Sequence, residues 1–152
     1  MPELTALTAG FLTELQAGAD AVLRQAGRVD TADLVGSLTP QPVVQTSDGV
    51  AGRLVASAAH AATIHDGRQP GKAMPPKGSL VGWMTRKVGM SPEEALSKEF
   101  VFRRAVGRKG IPAVPFFADP LAELLPSFAA RAAELGAAVA VSEIAGHIRG
   151  EA

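Results

Sequence analysis

Between Gly67 and Gly78 the chain carries three prolines and three glycines in twelve residues. No helix interior and no central strand accepts that composition, because proline lacks the donor both ladders need and its ring blocks the preceding turn. Regular structure must therefore be arranged around this segment. A connection this long inside one domain tends to be functional or mobile. Its few apolar side chains recover little of the roughly 1–2 kcal/mol that fixing each backbone residue costs. The expectation is a loop that is mobile in the isolated subunit and ordered when a partner arrives, with Arg68, Gln69, Pro70, Lys72, Met74, Pro75 and Pro76 as its contact residues. A second proline-marked stretch, Ile111 to Phe117, is predicted to be extended, since the residue before each proline is pushed out of the helical region.

The flanking elements follow from periodicity. Leu4, Leu7, Phe11, Leu15, Ala19, Val22 and Ala26 recur at steps of three and four, which predicts an amphipathic helix over residues 5 to 27, ended near Gly27. Pro42 to Thr46 and Val50 to Ser57 read as strands joined by Ser47-Asp48-Gly49, a hairpin signal, and Ala59 to Ile64 reads as a third strand. Ser79 can cap a short helix carrying Leu80, Trp83, Met84 and Val88. Ser91, Pro92 and Glu94 then form a capping box that starts a helix to about Arg108, its apolar face carrying Leu96, Phe100 and Val106. Asp119-Pro120 opens a long last helix with a seam at Leu121, Leu125, Phe128, Ala132, Leu135 and Val139, and Pro126 inside it predicts a kink or a second start. The fold class is α+β: a small antiparallel sheet against an N-terminal and a long C-terminal helix, with one or two middle helices.

Composition removes several kinds of chemistry. Residues 1–152 read as a single domain, large enough to bury a core. The absence of cysteine excludes disulfides, thiolate zinc sites and thiol catalysis. One Trp and no Tyr leave little for stacking on bases. The start of the chain lacks a basic segment followed by an apolar run, and nowhere do eighteen apolar residues follow one another, so neither secretion nor a membrane span is expected. Gly67 to Ala73 superficially resembles a phosphate loop, but its spacing is one residue short and Ala73 stands where a metal-reaching hydroxyl is required. His60, His65 and Asp66 lack a spacing that would align them on one helix or strand face. Asp66 and Glu99 form no identifiable acid-base pair, so the expectation is no catalysis, no cofactor and no metal.

Charge is unevenly distributed. From Gly67 to Gly110 there are ten Lys and Arg against three Glu, while the rest of the chain holds five basic and twelve acidic residues. Such polarity suits an external partner or further copies of the chain better than a small substrate. Lys98, Arg103, Arg104, Arg108 and Lys109 cluster on the middle helix. They could form a solvated polar face, a surface for acidic groups of another subunit, or a phosphate-facing surface. Reading of a specific DNA sequence is disfavoured, because no Asn or Gln stands among them to pair with adenine. Phe116 and Phe117 are adjacent in an extended stretch, which would leave one of them free as an aromatic anchor for a partner.

The order of these segments resembles the tail-completion or neck family of long-tailed bacteriophages, part of the head-tail connector. That family's pattern is a Thr-Gly-x-Leu segment, a hairpin, a run like Tyr-Ala-x-x-x-Glu-x-Gly-x-x-Pro-Gly, a Pro-Pro, a Trp-containing helix, an Arg-rich helix and Gly-x-x-Ala-x-Pro-Phe before a last helix. The matching segments are Val35 to Leu38, His60 to Gly71, Met74 to Pro76 with Trp83, and Gly110 to Phe117. Two positions depart: His60 stands for the aromatic, and His65 for the acidic residue, with Asp66 one place later. The resemblance implies a virion structural protein, made in the host cytoplasm. It would form a hexameric ring between the head-closure protein and the tail tube, and genome DNA would pass through without sequence-specific binding. A tail-terminator ring is the neighbouring alternative, and a nucleic-acid-binding regulator using the basic helix a more distant one.

Overall fold

The first helix shows how the apolar periodicity is used. In the computed structural model, which describes residues 2–27, 33–135 and 147–148, α1 spans Pro2–Gln25 and buries Leu4, Thr8, Phe11, Leu12, Leu15, Ala19 and Leu23. Steps of three and four keep these residues on one stripe. The expected seam through Leu7 and Val22 is rotated by one position, to Thr8 and Leu23. Thr8 tolerates burial because its hydroxyl donates to the Leu4 carbonyl at 2.8 Å. The helix ends as the sequence indicates: Gly27 takes a left-handed φ of 66°, and its N–H reaches the Arg24 carbonyl at 3.0 Å.

The architecture is α+β. Two compact units divide the chain: Met1–Ala62 with Pro115–Ala152, and Thr63–Val114. In the first unit α1 packs against α6 (Ala118–Glu134). The Phe11 and Phe128 rings lie with centroids 4.4 Å apart, and Gly18 allows close contact, since a Cβ there would come within 2.8 Å of the Pro120 Cβ. The helix runs through Pro126 as one element rather than restarting. Leu135 of the expected seam is exposed, and Val139 lies outside the described residues.

A short helix, α2 (Asp33–Gly36), leads into the strands. β1 (Leu38–Pro40) pairs antiparallel with β4 (Leu54–Ala56), which pairs in parallel with β5 (His147–Ile148); β2 (Val44–Thr46) and β3 (Gly49–Ala51) form a separate hairpin. Thr46 faces Gly49 across that hairpin, so Ser47 and Asp48 make its two-residue turn. The run expected as one strand from Val50 to Ser57 is split at Gly52-Arg53 between the two sheets. Gly52 allows the chain to cross α1 closely: a Cβ there would fall 2.7 Å from the Thr8 methyl.

The third strand expected over Ala59 to Ile64 is a helix instead, α3 (Ala61–Asp66). Its alanines favour a helical turn, and a short apolar run does not by itself separate the two states. In the second unit α4 (Val81–Trp83) continues into a π-helical turn, Met84–Val88, closed by Gly89 at a φ of 77°. The Ser79 hydroxyl donates to the Pro76 carbonyl at 2.6 Å rather than capping that helix. α5 (Pro92–Lys109) begins on the predicted box, with Ser91 Oγ accepting from the Glu94 N–H at 3.2 Å and Pro92 in the first turn.

Candidate interaction surface

Three residues of α5 spaced by four, Glu99, Arg103 and Gly107, lie on one helix face, and the proline-rich loop runs along them. Glu99, only 2% exposed, accepts the Gly78 N–H on Oε2 at 2.9 Å and the Leu80 N–H on Oε1 at 3.1 Å. One turn on, Arg103 Nε donates to the Pro75 carbonyl at 2.6 Å. A further turn on, the Gly107 carbonyl accepts the Gly71 N–H at 2.8 Å. Gly107 has no side chain for a reason: a Cβ there would meet the Lys72 carbonyl oxygen at 3.1 Å and Met74 at 3.4 Å. The Gly78 N–H above all holds the Glu99 carboxyl below its ordinary range, against the cost of burial, with the Leu80 N–H and the charges of Arg103 and Lys77 acting the same way.

The second proline-marked stretch is tied to the same loop. Arg68 and Ile111 form an antiparallel bridge, N–H to carbonyl at 2.8 Å and 2.9 Å, and the Val114 N–H reaches the Ile64 carbonyl at 2.9 Å. Two left-handed glycines make the crossing possible. Gly67, at a φ of 73°, sits where a Cβ would lie 2.7 Å from Ala113 N, and Gly110, also at 73°, where it would lie 2.1 Å from the Arg68 oxygen. Arg68 folds inward, Nη2 donating to the Ala73 carbonyl, while its buried Nε has no acceptor among the described residues.

The loop expected to contact a partner is hydrogen-bonded to α5 of its own chain. Its anchors are backbone hydrogen bonds to α5 within the chain, a source of ordering that apolar content does not reveal. Of the expected contact residues, Gln69, Pro70, Lys72, Met74 and Pro76 are exposed, whereas Arg68 and Pro75 are half-buried. The basic residues separate in the same way. Arg103 holds the loop, and Lys98 pairs with Glu94 at 2.6 Å, which lowers the Glu94 pKa. Arg104, Arg108 and Lys109 are exposed and enter no ion pair among the described residues.

Two further expectations are corrected. Phe116 and Phe117 are both buried, at 0% and 7% exposure, their rings 4.7 Å apart. Neither is available as an anchor, because the segment turns into α6 at this point instead of staying extended. The expected apolar packing face of α5 is also misplaced. Leu96 and Phe100 are 55% and 56% exposed, and Val101 is 66% exposed. The helix buries Ala95, Glu99 and Gly107 instead, and the Trp83 ring meets Phe102 edge-on with centroids 6.1 Å apart. The outer face of α5 therefore combines three large apolar side chains with Arg104 and Arg108.

His65 Nδ1 and Asp66 Oδ1 lie 2.8 Å apart at the end of α3, and among the described residues no three His, Asp or Glu gather as a metal site. No helix among the described residues is long and apolar enough to cross a membrane. The charge asymmetry follows the structural division: residues 63–114 hold ten Lys and Arg against four acidic residues, and the other unit five against eleven. Comparison with protein-family models, with curated proteins and with solved structures gives no significant match.

Proposed function

We propose that this chain is a ring-forming structural subunit of a bacteriophage head-tail connector. In this reading it is a tail-completion protein of the virion that joins the head-closure protein to the tail tube around the genome's passage. The observation that supports it most is the convergence of the two proline-marked motifs. His60 to Gly71 and Gly110 to Phe117, which carry the family resemblance, are distant in sequence, yet the Arg68–Ile111 bridge joins them beside the Arg-rich helix. A second support is the matching of charge to structural unit, which gives every copy one basic and one acidic body. Head-to-tail association of such copies joins unlike surfaces and closes into a ring when the rotation permits. The role is assembly, without catalysis or a cofactor.

The test is a nonsense mutation in the gene within its phage. The expected result is DNA-filled heads and separate tails that fail to join, seen by electron microscopy and restored by the protein supplied in trans. Complete, infectious particles from the mutant would overturn the proposal. A normal virion accompanied by altered transcription would favour the nucleic-acid-binding alternative.

A further inference from the structure

We infer that the outer face of α5 is the contact through which one copy grips the next, with Phe100 entering the groove between α1 and α6 of the neighbouring copy; this rests on the ring reading above. Phe100 and Arg104 are one turn apart and project from the same face. Leu96 lies one turn before them and Val101 beside them. A stripe of large apolar groups with this exposure has no cover among the described residues, and an exposed aromatic flanked by arginine is the usual composition of a binding anchor.

The receiving surface lies on the acidic unit. α1 and α6 leave an open groove of about 230 Å³ whose lining includes Leu7, Gly10, Phe11, Glu14, Phe128 and Arg131. Gly10 borders open space, since a Cβ there would meet nothing within 4 Å. The Phe11 and Phe128 rings give an apolar floor, and the exposed Glu14 offers a carboxylate to the arginine that accompanies Phe100. Charge complementarity favours a second copy as the occupant. The unit that bears α5 carries ten basic against four acidic residues, and the unit that bears the groove carries the opposite excess. Each copy thus has one donor and one acceptor surface, and they attract in only one pairing.

The absence of cysteine makes a direct test possible. Phe100→Cys and Gly10→Cys are made singly, mixed, and oxidised mildly. The expected result is a disulfide-linked pair that requires both variants, since Cβ atoms must come within about 4 Å to be bridged. In parallel, Phe100→Glu should weaken self-association in sedimentation by roughly tenfold or more, with an unchanged circular dichroism spectrum. If oligomers form without preferential mixed cross-linking and Phe100→Glu associates normally, this contact is wrong and the ring reading stands. A chain that remains monomeric at every concentration would overturn this inference and count against the ring reading too.

Discussion

Glu99 has the sequence context of an exposed helix residue, between Lys98 and Phe100, yet it holds the end of the loop with both carboxylate oxygens. Glu99→Gln keeps the shape but turns an amide N–H₂ toward one of the two N–H donors. The expected effect is faster hydrogen exchange at the Gly78 and Leu80 amides, with the α1 amides unchanged. The pH dependence follows from the lowered pKa. Below the ordinary Glu value of about 4.3 the unfolded chain binds the proton first, so the contribution present at neutral pH is lost as pH falls through the folded value. Glu99→Gln should flatten that acid limb of the stability curve, and an unchanged limb would show that the clamp does not carry it. The signal was available in the sequence as Glu99, Arg103 and Gly107 at a spacing of four. It was hidden because Arg103 has the same residue type and helix as Arg104 and Arg108. Charge and spacing do not distinguish a guanidinium that holds a carbonyl from one that faces water. Phe116 and Phe117 posed the converse difficulty, since alternation separates two neighbours only if the backbone is extended, and here it turns.

The helices were legible wherever local chemistry decides them. α1 followed its periodicity to a glycine stop, and α5 its capping box. The strands were harder to read. At two or three residues each they are too short for a pattern, and Gly52 sends one apparent strand into two sheets because of its close approach to Thr8, a tertiary cause. α3 shows the same ambiguity between short apolar helix and strand. α6 offers a test at this scale. Pro126 is exposed within the helix and removes the hydrogen bond that would reach the Ala122 carbonyl. Pro126→Ala should therefore raise thermal stability, by up to about 3 kcal/mol on the helix-interior scale, as read by calorimetry. A lower melting temperature would mean that the proline is accommodated without cost and restricts the unfolded chain instead.

For the whole molecule, the charge polarity was visible in the sequence, but its alignment with two structural units was not, because unit boundaries depend on which segments pack together. The prediction at this scale uses the arginines that the loop does not occupy. Arg104→Glu with Arg108→Glu should leave the folded monomer intact, since exposed charges contribute about 0–1 kcal/mol each. If the proposed ring forms through this face, assembly should be blocked, because like charges would then meet between copies. Electron microscopy of neck particles co-expressed with the variant, beside circular dichroism of the free subunit, checks both halves. Particles that assemble but hold DNA less tightly, with a shallower salt dependence, would place these arginines on the DNA passage instead. The loop alongside α5 has one more consequence, for how such chains can vary in length. Surface loops ordinarily absorb extra residues at small entropic cost. Here Gly71, Pro75 and Gly78 meet helix positions one turn, or about 6 Å, apart, so a single added or lost residue between them would put every later contact out of step with the helical pitch. Relatives that differ in length should carry their insertions elsewhere, and a tag or reporter placed in this proline-rich segment would act on it as a frame error.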